Sequence, residues 1–117
     1  MTNQERVTDL YDMILNGRLM DGFEKHYHDD VVMMEIGDEP RHGKTINREH
    51  ELKWLSNIET FHGAAVDAIT ANEETGVTMV ENWMDVTIKG AGRVKFVQVA
   101  VQRWKDGLII EERFYHK

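Results

Sequence analysis

Glu35 is the residue whose type and surroundings point most directly to chemistry. It follows the apolar run Val31–Met34 and precedes Ile36, in a stretch patterned as a buried strand. A carboxylate in an apolar pocket has its pKa raised toward the range where a general acid or base works at neutral pH. The alternative is a strand-end glutamate that is paired with Arg41 or solvated at the rim. Strand parity alone does not decide, because a register shift of one residue reverses the face.

Tyr11 is a second candidate, within a segment whose apolar residues recur at helical spacing. A tyrosine hydroxyl can donate a hydrogen bond to a developing oxyanion or to a bound carbonyl group. The alternative is an amphipathic core tyrosine whose hydroxyl reaches the surface.

Five residues of the predicted strand 93–105 share one face by parity: Phe96, Gln98, Ala100, Gln102 and Trp104. The opposite face is apolar and consists of Val97, Val99 and Val101. If Ala100 faces a cavity, the amides of Gln98 and Gln102 face it too and could orient a carbonyl or hydroxyl group. The valine face would then need cover, which a sheet-to-sheet homodimer would supply. The reverse orientation, with valines inside and glutamines in water, fits the pattern equally well.

Further candidates for substrate contact are Met33, Asn82, Met84 and His62. The chain has seven methionines, which either fill an ordinary core or form a cavity with adaptable walls. His62 begins a predicted strand and is the best of six histidines for a proton shuttle, although capping or exposed positions are the alternative. The histidine and carboxylate spacings match no metal-binding motif, so we expect no metal.

The composition limits the class of protein. A chain of 117 residues is expected to form one domain over 1–117. The net charge of −7 argues against a nucleic-acid partner, and no apolar run is long enough to cross a membrane. The sequence has no cysteine, which fits a reducing compartment, and we expect the cytoplasm.

The order of predicted elements indicates an α+β fold. Two short helices precede a strand over 31–36, and a third helix is predicted over 44–60 with Ile46, Leu52, Leu55 and Ile58 buried. Four strands follow, separated by turn residues, at 61–71, 76–89, 93–105 and 108–116. Helices gathered before a meander should cover one face of a strongly bent mixed sheet, giving a cone with a mouth.

Two segments carry a resemblance to a known family. Tyr11–Asn16 with Asp21-Gly22-Phe23 is similar to a Tyr-x-x-x-Leu-Asn and Asp-Gly-Ile run of ketosteroid isomerases. Asp29-Asp30, Glu35 and Gly37–Gly43 are similar to the Asp-Asp strand and the Gly-Ser-Glu-Pro-Arg-Ser-Gly loop of that family, and 99–107 resembles SnoaL-like proteins. The chain therefore resembles the nuclear transport factor 2-like superfamily, and within it the SnoaL-like and ketosteroid isomerase-like proteins.

This resemblance implies roles for particular residues. Glu35 falls where the isomerases keep their proton-transferring aspartate, and Tyr11 falls where they keep the oxyanion-hole tyrosine. The protonated acid that partners that tyrosine should lie on the third meander strand, where this chain has Ala100. The expectation is a cofactor-independent proton-transfer enzyme, of isomerase or cyclase type, acting on a small hydrophobic carbonyl compound. The alternatives are a non-catalytic module for a small hydrophobic ligand and a dimerisation domain.

Overall fold

Two helices open the chain and a third follows the first strand. A computed structural model, which describes residues 1–116, has α1 at Asn3–Leu15, α2 at Leu19–His26 and α3 at Lys44–Asn57. The capping box expected from Thr2 and Glu5 begins α1, where the Thr2 side chain accepts from the Glu5 backbone N–H.

Six strands form one sheet in the order β2-β1-β6-β5-β4-β3. Their bounds are Tyr27–Glu35, Arg41–His42, Ile58–Asn72, Val77–Ile88, Gly92–Lys105 and Leu108–His116, numbered β1 to β6 along the chain. The β1–β6 pair is parallel and the other pairs are antiparallel, so the sheet is mixed. Register shifts at three points of the β3–β4 pair bend the sheet strongly. The expected α+β cone is confirmed, and β2 is a short strand where a loop was predicted.

The buried face of α3 differs from the prediction. Ile46 and Leu52 are 54% and 50% exposed, and the helix ends at Asn57 rather than at residue 60. The inward stripe instead runs through Asn47, Glu51 and Trp54, at the i, i+4, i+7 spacing of one helix face. Two of these three residues are polar, and for that reason an apolar pattern did not find the face.

The core lies between the helices and the concave face of the sheet. Its buried residues include Val7, Leu10, Phe23, Met33, Val80 and Ile109. Strand β1 alternates as the sequence implied, because Val31 and Met33 are buried while Val32 and Met34 are half-buried. Parity therefore turns Glu35 toward the interior. Among the described residues, no helix is both long and apolar enough to span a membrane.

Candidate functional site

A cavity of about 220 Å³ lies between the three helices and the concave face of the sheet. Much of its wall is apolar and includes Leu10, Phe23, Met33, Trp54, Met84 and Phe114. Tyrosine, carboxyl and amide groups from both the helices and the sheet complete the wall. A mostly apolar cavity with a few converging polar groups is the usual form of a small-molecule site.

Glu112 is the most deeply buried carboxyl group of this cavity, with 1% of the residue exposed. The Tyr27 hydroxyl donates a hydrogen bond to Oε1, and the Gln102 amide donates to Oε2 over 2.8 Å. Burial raises the pKa of Glu112 from 4.5 to about 7, against the opposing effect of these two donors. At neutral pH both the acid and the carboxylate are therefore populated.

A chain of buried hydrogen bonds fixes Glu112 from behind. Gln102 lies opposite Glu112 in the β5–β6 register and accepts at Oε1 from the Thr78 hydroxyl over 2.7 Å. Thr78 in turn accepts from the Trp104 indole N–H over 2.9 Å. Side chains from three neighbouring strands thus hold one carboxyl group. Each of the side-chain groups in this series has a hydrogen-bond partner, as buried polar groups require.

Two tyrosines bring hydroxyl groups to the same region. Burial, together with the charge of Glu112, raises the pKa of both Tyr11 and Tyr27 well above the ordinary value of 10. Both phenols are therefore neutral at physiological pH and available as hydrogen-bond donors. Tyr27 uses its proton on Glu112, whereas Tyr11 lies beside Glu112 and Gln102.

Glu35 lines the cavity and is also ion-paired with Arg41, the partner that the alternative interpretation gave it. Its Oε2 atom lies 2.6 Å from Arg41 Nη1, and its side chain is 28% exposed. Arg41 also donates from Nε to Asn47 Oδ1 over 3.1 Å. The fully buried Asn47 donates to the carbonyls of Arg41 and Gly43, which secures the corner between β2 and α3.

Helix α3 contributes a third carboxyl group to the wall. Desolvation raises the pKa of Glu51 to about 7, and the charge of Glu112 adds to the effect. The neighbouring His50 also lines the cavity, and desolvation lowers its pKa. The cavity wall therefore carries two carboxyl groups, Glu51 and Glu112, that can exchange protons near neutrality.

Six of the ten predicted site residues line the cavity: Tyr11, Met33, Glu35, Asn82, Met84 and Gln98. Asn82 and Gln98 form an amide pair on the wall, with Gln98 Nε2 lying 3.3 Å from Asn82 Oδ1. The inner face of β5 is therefore the one that carries Ala100, and Val97 on the other face is 57% exposed.

The other four predicted residues lie outside the cavity wall. Gln102 and Trp104 are buried behind Glu112 and support it through the hydrogen-bond chain, while Ala100 is fully buried in the core. His62 is exposed on β3 and bonds to the Thr87 hydroxyl over 2.7 Å.

Glu112 and Glu51 were not identified from the sequence, although each has the raised pKa that marks a candidate functional acid. For Glu51 the signal was its place one turn after Asn47 on the inward stripe of α3. For Glu112 strand alternation gave no usable signal, because a register shift precedes it in β6. Among residues 1–116, no group of three or more acidic or histidine side chains could hold a metal ion.

The strongly bent mixed sheet, the covering helices and the mostly apolar cavity between them define a protein of the nuclear transport factor 2-like class. The chain belongs to the SnoaL-like domain family, whose profile matches residues 1–116. No curated protein sequence matches it.

Solved structures agree with this assignment. A provisionally named SnoaL-like polyketide cyclase from Mesorhizobium loti is 31% identical, with a TM-score of 0.87 over 98% of this chain and 99% of that one. A nuclear transport factor 2-like protein of unknown function from Burkholderia pseudomallei is 16% identical, with a TM-score of 0.83 over 100% of this chain and 92% of that one. An epoxide hydrolase from M. tuberculosis is 20% identical, with a TM-score of 0.78 over 99% of this chain and 84% of that one. The last two likenesses show the fold alone.

Proposed function

We propose that this protein is a cofactor-independent enzyme that moves a proton on a small, largely apolar, carbonyl-bearing molecule, as isomerases and cyclases do. The observation that carries the proposal is the Glu112 carboxyl group, held by Tyr27 and Gln102 at the cavity with a pKa of about 7. A general acid or base is most effective when its pKa lies near the working pH. The provisional cyclase name of the Mesorhizobium loti protein, which is 31% identical, is consistent with this class of reaction.

The proposed step is removal of a proton from the carbon next to the carbonyl group. Each Glu112 oxygen already accepts one hydrogen bond and keeps a second lone pair that can take this proton. The electrons of the broken C–H bond form the C=C bond of an enolate, and the negative charge moves to the carbonyl oxygen. Tyr11, a neutral phenol beside Glu112, is the proposed donor to that oxygen. Where the substrate also has a C=C bond next to the deprotonated carbon, the enolate is a dienolate. Return of the proton to the far carbon of that C=C bond shifts the double bond and re-forms the carbonyl group, which completes an isomerisation.

The remaining cavity residues have supporting roles in this proposal. Glu35 is a second candidate base, nearer Arg41, and the Asn82–Gln98 amide pair would orient a polar group of the substrate. Met33 and Met84 would contact its apolar part. Gln102 and Trp104 act through Glu112 and are positioning residues. No cofactor is needed for transfer between a positioned acid and base.

Deuterium exchange tests the proposal without knowledge of the natural substrate. The protein would be incubated in D₂O with 2-decalone and cyclohexanone, and loss of the proton signal next to the carbonyl would be followed by NMR. We expect exchange above the buffer rate, and a fall of about 100-fold or more in Glu112→Gln. The exchange rate of Glu35→Gln measures how much the second candidate base contributes to the reaction. The matched control is Glu111→Gln, because Glu111 is the adjacent residue and pairs with Arg103 and Arg113. Equal rates in Glu112→Gln and the unmodified protein would contradict the proposal.

A binding module for a small hydrophobic ligand is the second candidate function. It is favoured by the Glu35–Arg41 ion pair, which engages the carboxylate that the sequence presented as the base. Calorimetry with 2-decalone separates the two functions. Binding that is equally tight in Glu112→Gln, with no exchange in either protein, would support the binding module.

We also propose that two copies associate through the convex face of the sheet. The observation behind this proposal is the apolar character of that face, where Val97, Met79 and Tyr115 are 57%, 42% and 39% exposed. Apolar surface of this kind is usually covered by a partner.

A further inference from the structure

A second cavity, of about 260 Å³, adjoins the one that contains Glu112. It lies beside the α1–α2 turn and the junction of α3 with β3, where Met20, Leu55, Ile58 and Phe61 form part of its wall. Four side chains, Ile14, Leu19, Trp54 and Met84, line both cavities. The two cavities therefore adjoin along these four side chains.

The combined volume of the two cavities suits one small-molecule ligand better than the volume of the first cavity alone does. Sites for small molecules usually enclose about 300–1,000 Å³. The Glu112 cavity, at about 220 Å³, falls below this range, whereas the two volumes taken together fall within it. Methionine is the most adaptable apolar side chain, so Met84 suits a partition that a ligand must pass.

The chemistry of the two walls differs. The first cavity contains carboxyl, hydroxyl and amide groups. The second is lined mainly by apolar residues, and its two charged residues, Arg18 and Asp21, lie at the start of α2. Two apolar residues of the second wall are notably exposed, Phe61 at 55% and Leu15 at 38%. A surface of this composition favours burial of a hydrocarbon chain over recognition of a polar group.

We propose that the second cavity is a subsite of the Glu112 cavity, and that it takes the extended apolar chain of a ligand whose carbonyl end lies beside Glu112. This assignment of the carbonyl end rests on the proposed function. The chain of such a ligand passes over Trp54 and Met84 and ends near Phe61. The substrate class is then a carbonyl compound with an extended alkyl chain, rather than a compact ring that fits the first cavity alone.

Methionine methyl groups report on the two cavities separately. Met33 lines only the first cavity, Met84 lines both, Met20 lines only the second, and Met79 lies on the convex face of the sheet. With ¹³C-methyl-methionine protein, we expect 2-pentanone to shift the Met33 and Met84 signals, and 2-undecanone to shift that of Met20 as well. Met79 should not respond to either ketone. A Met20 signal that is unmoved by 2-undecanone, while Met33 and Met84 respond, would overturn the proposal.

A filled second cavity gives an independent test. We expect affinity in the unmodified protein to rise by up to about fourfold per added methylene from 2-pentanone to 2-undecanone. Leu55→Trp should remove most of the gain from the longer chain and leave 2-pentanone binding and its deuterium exchange unchanged. Leu52→Trp is the matched control, because Leu52 lies on the same helix and is 50% exposed. Affinity for 2-undecanone that is equal in Leu55→Trp and Leu52→Trp would overturn the proposal.

The outcomes separate this proposal from the proposed function. Chain-length dependence without deuterium exchange would support the subsite and contradict the enzyme, whereas exchange without chain-length dependence would do the reverse. A change of sedimentation coefficient in ligand-free Leu55→Trp would assign the second cavity to a contact between copies and overturn the subsite. The methionine measurement uses the unmodified chain and stands even if Leu55→Trp does not fold.

Discussion

Glu112 faces the interior because the pairing of β6 with β5 is irregular just before it. Strand parity counted from the buried Ile109 would turn Glu111 inward and Glu112 outward. The register of β6 shifts between the pairs Trp104–Ile109 and Arg103–Glu111, and this irregularity reverses the parity. Glu112 is consequently buried and Glu111 is half-buried among arginines. Such a shift is decided by pairing with neighbouring strands and cannot be read from the strand itself.

The raised pKa of Glu112 predicts a pH dependence of stability. Because its folded-state pKa of about 7 exceeds the ordinary 4.5, the folded chain binds more protons than the unfolded chain between these two pH values. The free energy of unfolding should therefore fall as the pH rises through this window, by on the order of 3 kcal/mol from this group. Urea unfolding at pH 4.5 and pH 8 measures the fall.

The decrease in the free energy of unfolding between pH 4.5 and pH 8 should be smaller in Glu112→Gln and unchanged in Glu111→Gln. Some decline should persist in Glu112→Gln, because the raised pKa of Glu51 acts in the same direction. An unchanged fall in Glu112→Gln would mean that Glu112 has an ordinary pKa in the folded protein.

The elements differ in how far the sequence predicts them. The meander strands were placed to within a few residues, because turn residues separate runs rich in β-branched and aromatic side chains. The inner face of β5 carries Gln98, Ala100 and Gln102, a choice that the strand alone left open. It is resolved by the neighbouring strands, since Thr78 and Glu112 are the hydrogen-bond partners that the buried Gln102 requires. The inward face of α3 was missed because two of its three residues, Asn47 and Glu51, are polar.

The polar chain across β4, β5 and β6 makes Thr78 a critical position. Thr78→Val would leave the Trp104 indole N–H and the Gln102 carbonyl oxygen without partners in the core. We expect the free energy of unfolding to fall by about 2–4 kcal/mol in urea denaturation. Thr87→Val, on the same strand and bonded only to the exposed His62, should cost less than about 0.5 kcal/mol. An equal fall in the free energy of unfolding in the two variants would show that this series of buried hydrogen bonds adds no stability.

At the scale of the whole molecule, the order of elements was enough to predict the α+β cone. Three helices precede a four-strand meander, and this order leaves one efficient way to cover the sheet. The cavity was expected from the same argument, but its polar groups come from side chains brought together by long-range pairing. The position of the second cavity likewise depends on packing around the α1–α2 turn, which no local pattern encodes.

The proposed homodimer gives a prediction at the same scale. Val97→Glu places a charge at the most exposed of the three apolar residues of the convex face, and it should convert a dimer into a monomer in sedimentation velocity. Ile46→Glu is the matched control, because Ile46 is 54% exposed on α3, away from that face. A single species of the same mass in Val97→Glu and the unmodified protein would argue against this interface.

The measurement that tests the central claim most directly is the pKa of Glu112. It can be obtained by carbon-detected NMR titration of the side-chain carboxyl signals, with Glu112→Gln used for assignment. We predict a titration midpoint near 7 for Glu112, and Glu51 should titrate over the same range. A midpoint at or below the model-peptide value of about 4.3 would mean that Glu112 is an ordinary carboxylate at neutral pH. That result would remove the basis for proton transfer and leave the binding module as the function of this cavity.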